Sequence, residues 1–350
     1  MKIACIGGGP GGLYFSILMK RAFPEAAITV FERNRPDDTF GFGVVFSDET
    51  LDGFRVADPE SFASITAEFA YWTDIENHYA GECVRSTGHG FCGMARKTLL
   101  QIFHRRCEEL GVELRFEHEV RDVSELKGYD MILAADGLNS AVREAHREHF
   151  QPSIDWRKAK FAWFGTPKPL KAFTFIFKEN QHGLFQVHAY PFQIGENALS
   201  TWIVECHEDV WKRAGLEGAS EAETKAYVEE LFAQELGGHE LLTNRSLWRS
   251  FPTVKCETWY HENICLIGDA VHTAHFSIGS GTKLAMGTRS PWWPRFRKSG
   301  SAMCRAPWRT MGTPGAWTRS RPRRRPRPAW SGSRTRRATR TKRRFNSCST

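Results

Sequence analysis

Ile3-Ala4-Cys5-Ile6-Gly7-Gly8-Gly9-Pro10-Gly11-Gly12-Leu13-Tyr14-Phe15-Ser16-Ile17-Leu18-Met19 is the stretch on which the fold turns. The apolar run Ile3 to Ile6 predicts a strand, Leu13 to Met19 predicts a helix, and Gly7, Gly9 and Gly12 fall on the G-x-G-x-x-G positions of the turn between them. Without a Cβ, Gly7 permits the tight turn, Gly9 lets the backbone approach a pyrophosphate, and Gly12 lets helix lie close on strand. Pro10 suits the first helical turn, whose free N–H groups hold negative charge. A glycine run alone marks many flexible turns. Here Ile28-Thr29-Val30-Phe31 supplies a second strand ending at Glu32, 20 residues after Gly12, where a carboxylate meets ribose hydroxyls. Arg33 beside it is assigned to the same site.

Two distant stretches complete the pattern: Asp136-Gly137-Leu138-Asn139-Ser140-Ala141-Val142-Arg143 and Gly268-Asp269-Ala270-Val271-His272. With the glycine loop they describe a pocket for one large dinucleotide and point to FAD. Each residue also has a plainer reading. Asp136 could cap a helix, and Arg143 could be a solvated helix charge.

A chain of 350 residues with 41% hydrophobic content has room for one large or two ordinary domains. No apolar run approaches membrane-spanning length. The short, glycine-broken apolar stretch after Lys2 argues against a signal peptide, so the expected compartment is the cytoplasm. Nine cysteines without C-x-x-C pairs or histidines at zinc spacing argue against a metal site and a disulfide framework.

The net charge of +8 is unevenly placed. Residues 288–350 hold 19 of the 48 Lys and Arg and no Asp or Glu, which leaves residues 1–287 with 29 basic and 40 acidic residues, a net of −11. The tail is crowded with Trp and Pro, as in Trp292-Trp293 and Arg321-Pro322-Arg323-Arg324-Arg325-Pro326-Arg327-Pro328, and has no periodicity. As a disordered basic arm it would bind nucleic acid by charge and stacking. As an out-of-frame translation it needs no function. Shifting the codons of Gly287 to Pro294 by one base permits Asp-Ala-Ile-Ala-Leu-Val-Ala, and the same shift over Ala302 to Arg309 permits Asp-Val-Pro-Arg-Ala-Leu-Ala. The frameshift explains the missing acids, the Arg and Trp excess and the abrupt onset together, and it argues against a nucleic-acid partner.

The body divides accordingly. Residues 1–150 alternate strands and helices, with Val112 to Phe116 and Met131 to Ala135 as further strands, and predict a mainly parallel Rossmann-like FAD-binding domain of the α/β class. Residues 151–260 carry alternating, aromatic-rich segments (Phe173 to Phe177, Leu184 to Tyr190, Leu199 to Val204) and predict an inserted antiparallel-sheet substrate domain. An acidic helix is expected over Glu221 to Leu236. Residues 261–287 return to the FAD domain through Ile264-Cys265-Leu266-Ile267 and the Gly268-Asp269 motif, and 288–350 form the basic tail.

Asp136-Gly137 with Ser140 and Arg143 resembles the D-G-x-x-S-x-x-R pattern of the group A flavoprotein monooxygenases, the single-component aromatic hydroxylases. Gly268-Asp269 resembles their G-D motif, and Arg96 in Gly93-Met94-Ala95-Arg96-Lys97-Thr98-Leu99 resembles the family arginine that reaches the flavin side. The resemblance implies that Asp269 bonds the ribityl chain of FAD, and that Asp136 and Arg143 organise the region shared by FAD and NAD(P)H. Phe40-Gly41-Phe42-Gly43-Val44-Val45-Phe46-Ser47 and His275 to Met286, including Gly279 and Gly281 near the flavin phosphates, are most similar to the branch that hydroxylates aryl-CoA thioesters such as salicylyl-CoA and 2-aminobenzoyl-CoA; a tryptophan hydroxylase of pigment biosynthesis is the close alternative. The likeness departs from the general pattern at Phe276, where many relatives carry Pro, and stops at Met286.

The resemblance implies that NAD(P)H reduces FAD and that O2 then supplies one oxygen atom to an electron-rich aromatic ring. No metal is needed. His272, His275, His188 and Tyr190 are the candidates for polarising substrate or flavin, and structural roles for the histidines fit equally. Arg157, Lys158, Lys160, Lys168 and Lys171 could meet the nucleotide of CoA or form a solvated edge. Three other readings stand beside this one: a flavin reductase or dehydrogenase, an inactive truncated flavin-binding remnant, and a nucleic-acid binder acting through the tail.

Overall fold

The computed structural model describes residues 1–39, 41–274 and 346–347. Its first layer is a six-stranded sheet in the order β15 (Tyr260–His261), β16 (Ile264–Leu266), β9 (Met131–Ala134), β1 (Lys2–Ile6), β2 (Ala27–Phe31) and β8 (Glu113–Arg115). Every pairing is parallel except β15 with β16. The apolar strands Ile3 to Ile6 and Met131 to Ala134 are buried on both faces, which suits the centre of a parallel sheet. Helices α1 (Pro10–Ala22) and α4 (Arg96–Glu109) cover one face through Leu13, Ile17, Leu99 and Phe103. Helices α2 (Asp48–Ala57) and α3 (Pro59–Glu68) lie beside them, and Asp58, buried between helices, is held by Arg21 and Arg106. On the other face Val142 and Phe150, from α5 (Ala141–Ala145) and α6 (Arg147–Phe150), join Ile132 and Leu266. Strand β16 returns the chain to the first sheet beside β9 after most of the second sheet has been laid down.

The second layer is an eight-stranded sheet: β14 (Arg249–Cys256), β10 (Pro152–Thr166), β13 (Leu199–Cys206), β12 (Gly183–Gln193), β11 (Phe173–Asn180), β5 (Ile75–Tyr79), β6 (Glu82–Ser86) and β17 (Asn346–Ser347). It is antiparallel apart from β11 with β5. Strands β5 and β6 thus come from within residues 1–150, so the second sheet is not confined to 151–260. One face packs Phe185, Val187, Trp202 and Val204 on the helical layer of α7 (Glu208–Arg213), α8 (Glu221–Leu231) and α9 (Ala233–Leu236). The single helix expected over Glu221 to Leu236 is broken at Phe232, whose φ of −109° and ψ of 23° leave the helical range as its ring turns under Trp202.

Between the two layers lies a small antiparallel sheet of β3 (Gly43–Ser47), β7 (Phe91–Ala95) and β4 (Ala70–Trp72). Close approach requires its glycines: a Cβ at Gly93 would lie 2.3 Å from the Pro191 carbonyl oxygen, and one at Gly43 2.7 Å from Phe192. No helix among the described residues is long and apolar enough to cross a membrane.

Candidate flavin site

Because β16, β9, β1 and β2 run parallel and adjacent, their carboxyl ends meet along one edge, where open α/β sheets bind ligands. Three glycines divide the work of the first loop. Gly7 has φ +105°, and a Cβ there would sit 2.3 Å from the Ala135 carbonyl oxygen. A Cβ on Gly12 would lie 2.2 Å from the Gly7 oxygen and 2.9 Å from Cys5 Sγ, so that position holds helix against strand. Around Gly9 nothing lies within 4 Å of a built Cβ. That open side adjoins the start of α1, where Pro10 occupies the first turn, no side chain caps the helix and no acidic residue opposes an anion.

Glu32 closes the loop from the next strand. Its Oε2 accepts from the Gly8 N–H at 2.8 Å, while Oε1 accepts from the Asn34 backbone N–H at 2.8 Å and from Asn34 Nδ2 at 2.7 Å. Arg33, next to it, is 66% exposed, and its side chain lies 4.0 Å from Glu119.

After β9, Asp136 Oδ2 accepts weakly from the Val142 N–H at 3.3 Å, and its buried Oδ1 has no hydrogen-bond partner among the described residues. Such a buried acceptor calls for a donor from beyond the described residues, as a bound ligand could supply. Ser140, rather than Asp136, caps α5 by accepting from the Arg143 N–H. Arg143 is no solvated charge. It is 4% exposed and donates to the carbonyls of Ala270 at 2.9 Å and Leu138 at 2.7 Å, tying the Asp136 loop to the Gly268-Asp269 turn.

Gly268 takes φ +60° to start the turn that presents Asp269. Arg96, at the head of α4, donates its backbone N–H to the Phe42 carbonyl at 2.8 Å, and its guanidinium lies in the electrostatic field of Asp269 and Tyr190. Burial lowers the Arg96 pKa, with Asp269 opposing, and burial raises the Asp269 pKa, with Arg96 opposing. Each therefore offsets part of the other's burial cost.

Tyr190 is buried, donates its hydroxyl to the Gly43 carbonyl at 3.0 Å and stacks on Trp72 at 6.1 Å. Burial raises its pKa far above the usual phenol range, so it stays a neutral, committed donor. Two residues away on the same face of β12, His188 is buried with Nε2 3.5 Å from Glu205 Oε2 and its ring 5.2 Å from Phe175. His272 packs on Trp259 at 5.0 Å; burial lowers its pKa and keeps it neutral, and its buried Nδ1 has no partner among the described residues. His275, Gly279 and Gly281 lie outside the described residues, as does Phe276.

Gly7, Gly9, Gly12, Glu32, Asp136, Arg143 and Asp269 thus lie at or beside the carboxyl ends of adjacent parallel strands, with exposed Arg33 next to Glu32, while Arg96 heads α4 and Tyr190 lies on the second sheet. Sequence reasoning missed Asn34, Glu205 and Asn244. Asn244 donates to the carbonyls of Thr39 and Gly41 at 3.3 and 2.9 Å, fixing the segment whose Phe42 carbonyl receives Arg96. No spacing links residues 200 positions apart. Of the basic cluster, Lys160 is engaged by Ser250 and by the Trp211 ring, Lys168 by the Glu235 carbonyl and Arg157 by Asp155 and Thr253, leaving Lys158 and Lys171 exposed.

An anion-ready glycine loop, a ribose carboxylate, an Asp136 oxygen with no partner among the described residues and Asp269 at the next strand end fit FAD and define a flavoprotein. The FAD binding domain family matches residues 129–288. Over 294 residues the chain is 47% identical to salicyloyl-CoA 5-hydroxylase of a Streptomyces species, a match that covers 82% of this chain and 56% of that protein. It is 35% identical over 286 residues to 3-hydroxy-4-methyl-anthranilyl-(aryl-carrier protein) 5-monooxygenase of Streptosporangium sibiricum, covering 82% and 76%. The fold matches 2-methyl-3-hydroxypyridine-5-carboxylic acid oxygenase with a TM-score of 0.66 at 18% identity, over 81% of this chain and 79% of that one. The chain belongs to the family of FAD-dependent aromatic monooxygenases. It spans little more than half the length of the Streptomyces relative.

Proposed function

We propose that this chain derives from an NAD(P)H-dependent hydroxylase of an electron-rich aromatic acid presented as a thioester, of the salicylyl-CoA or 2-aminobenzoyl-CoA type. The observation that carries the reading is the 47% identity to salicyloyl-CoA 5-hydroxylase, beside an edge where Gly9 stands open and Asp136 keeps a buried oxygen with no partner among the described residues. Bound FAD supplies the electron transfer and oxygen activation. The chain's own groups bind, orient and exclude water. Glu32 and the open Gly9 side hold the adenosine and pyrophosphate, Asp269 the ribityl hydroxyls and Asp136 the region near NAD(P)H. Trp72, Phe91, Phe173 and Tyr190 pack one end of the sheet face as a dry aromatic wall. His188, braced by Glu205, is the group on that face able to take a proton from a ring hydroxyl or amino substituent. His272, against Trp259, and Tyr190, committed to Gly43, serve as supports.

A second reading, an inactive flavin-binding remnant, is favoured by the family match ending at residue 288, where the basic tail begins. Resequencing the codons around Met286 and comparing the chain as written with the corrected one tests both. NAD(P)H oxidation stimulated by salicylyl-CoA or 2-aminobenzoyl-CoA over tryptophan, with a hydroxylated product, supports the hydroxylase. Flavin binding without product in either chain supports the remnant.

A further inference from the structure

The β5–β6 hairpin turns three unlike donor atoms toward one point. Its strands pair antiparallel with His78 opposite Cys83 and Glu76 opposite Arg85, and Glu76 and His78, two residues apart, share a face. Glu76 Oε2 lies 3.2 Å from His78 Nε2, Cys83 Sγ lies 3.7 Å from the same nitrogen, and all three atoms fall within 4.8 Å of one another. Among the described residues this is the one such grouping of three.

The separations decide what could sit there. A tetrahedral zinc ion bound at about 2.0–2.1 Å to nitrogen and oxygen and about 2.3 Å to sulfur sets its ligand atoms roughly 3.3–3.6 Å apart. Two of the three observed edges are close to that spacing. We propose that Glu76, His78 and Cys83 form a binding site for one zinc-class divalent cation, separate from the flavin edge, with water completing four-coordination. The donor set of imidazole, thiolate and carboxylate suits zinc or cobalt and disfavours magnesium or calcium.

The surroundings support the donors. Arg85 bonds the other carboxylate oxygen, Oε1, and so orients Glu76 while leaving Oε2 toward His78. All three residues are partly exposed, which gives a hydrated ion a path. A bound ion would pin the hairpin that carries β5 onto β11. The spacing rules used on the sequence pass over this site because His78 and Cys83 meet across a hairpin rather than along one strand.

The test uses the reduced, metal-free chain in a Cys304→Ser/Cys348→Ser background, so that tail thiols do not contribute. Cobalt titration is expected to give a thiolate charge-transfer band that saturates at one equivalent, is displaced by zinc and disappears in Cys83→Ser. Independently of that variant's folding, one equivalent of zinc should slow iodoacetamide alkylation of Cys83 by at least about tenfold, reversibly with chelator, and Glu76→Gln should weaken binding by about tenfold or more. Absence of the band, its persistence in Cys83→Ser, or an alkylation rate indifferent to zinc would overturn the assignment.

Discussion

Gly9 and Gly12, three residues apart in one loop, obey opposite constraints. A methyl at Gly12 collides with the Gly7 carbonyl at 2.2 Å, whereas one at Gly9 meets nothing within 4 Å. Gly12→Ala is therefore expected to cost the fold about 1–3 kcal/mol, read by urea unfolding. Gly9→Ala should melt with the parent chain yet bind FAD at least about tenfold more weakly, because its methyl occupies the phosphate's approach. Asp269 gives a pH signature. Its folded pKa is raised by burial, so apoprotein stability from this group is fully present below the unfolded carboxyl pKa and is lost as pH rises through the folded one. Asp269→Asn should stabilise the flavin-free chain at neutral pH and weaken FAD binding, and thermal melts across pH with and without FAD check both signs. The glycine roles and Glu32 were legible in sequence because each residue acts on its neighbours in the strand-turn-helix unit. The roles of Arg143 and Tyr190 were not, since their partners Ala270 and Gly43 are brought to them by the fold.

Among elements, the strands at the cofactor edge carry their own evidence: continuous apolar runs ending in Gly, Glu or Asp mark both the parallel sheet and its functional ends. The hairpin β5–β6 was not assigned to the second sheet because Ile75 to Tyr79 lacks an apolar run, and only its pairing with β11 places it there. The segment before β3 depends on Asn244, whose two donors reach Thr39 and Gly41. Asn244→Ala should destabilise the chain by about 1–3 kcal/mol, since two partly buried carbonyls lose their donor. The same change should also weaken FAD binding through the displaced Phe42–Arg96 contact, which titration of the folded variant would show. The aromatic positions beside β12 were readable from the alternating pattern.

For the whole molecule, two sheets with perpendicular tasks share one boundary, and residues 1–274 hold every described contact to the cofactor edge. If His188 is the proton acceptor in the complete enzyme, His188→Gln should lower kcat by about 10²–10⁴-fold and flatten its pH profile while leaving flavin content unchanged. The host for that measurement is the chain whose codons after Met286 have been resequenced, because residues 288–350 hold no Asp or Glu, unlike the acidic body that precedes them. The central claim, that this edge is an FAD site, is tested most directly by titrating that resequenced chain and its Gly9→Val variant with FAD and reading flavin fluorescence. One FAD per chain in the parent, lost in a variant of unchanged melting temperature, is the predicted result; a parent that binds no flavin, or a variant that binds it equally well, would contradict the account.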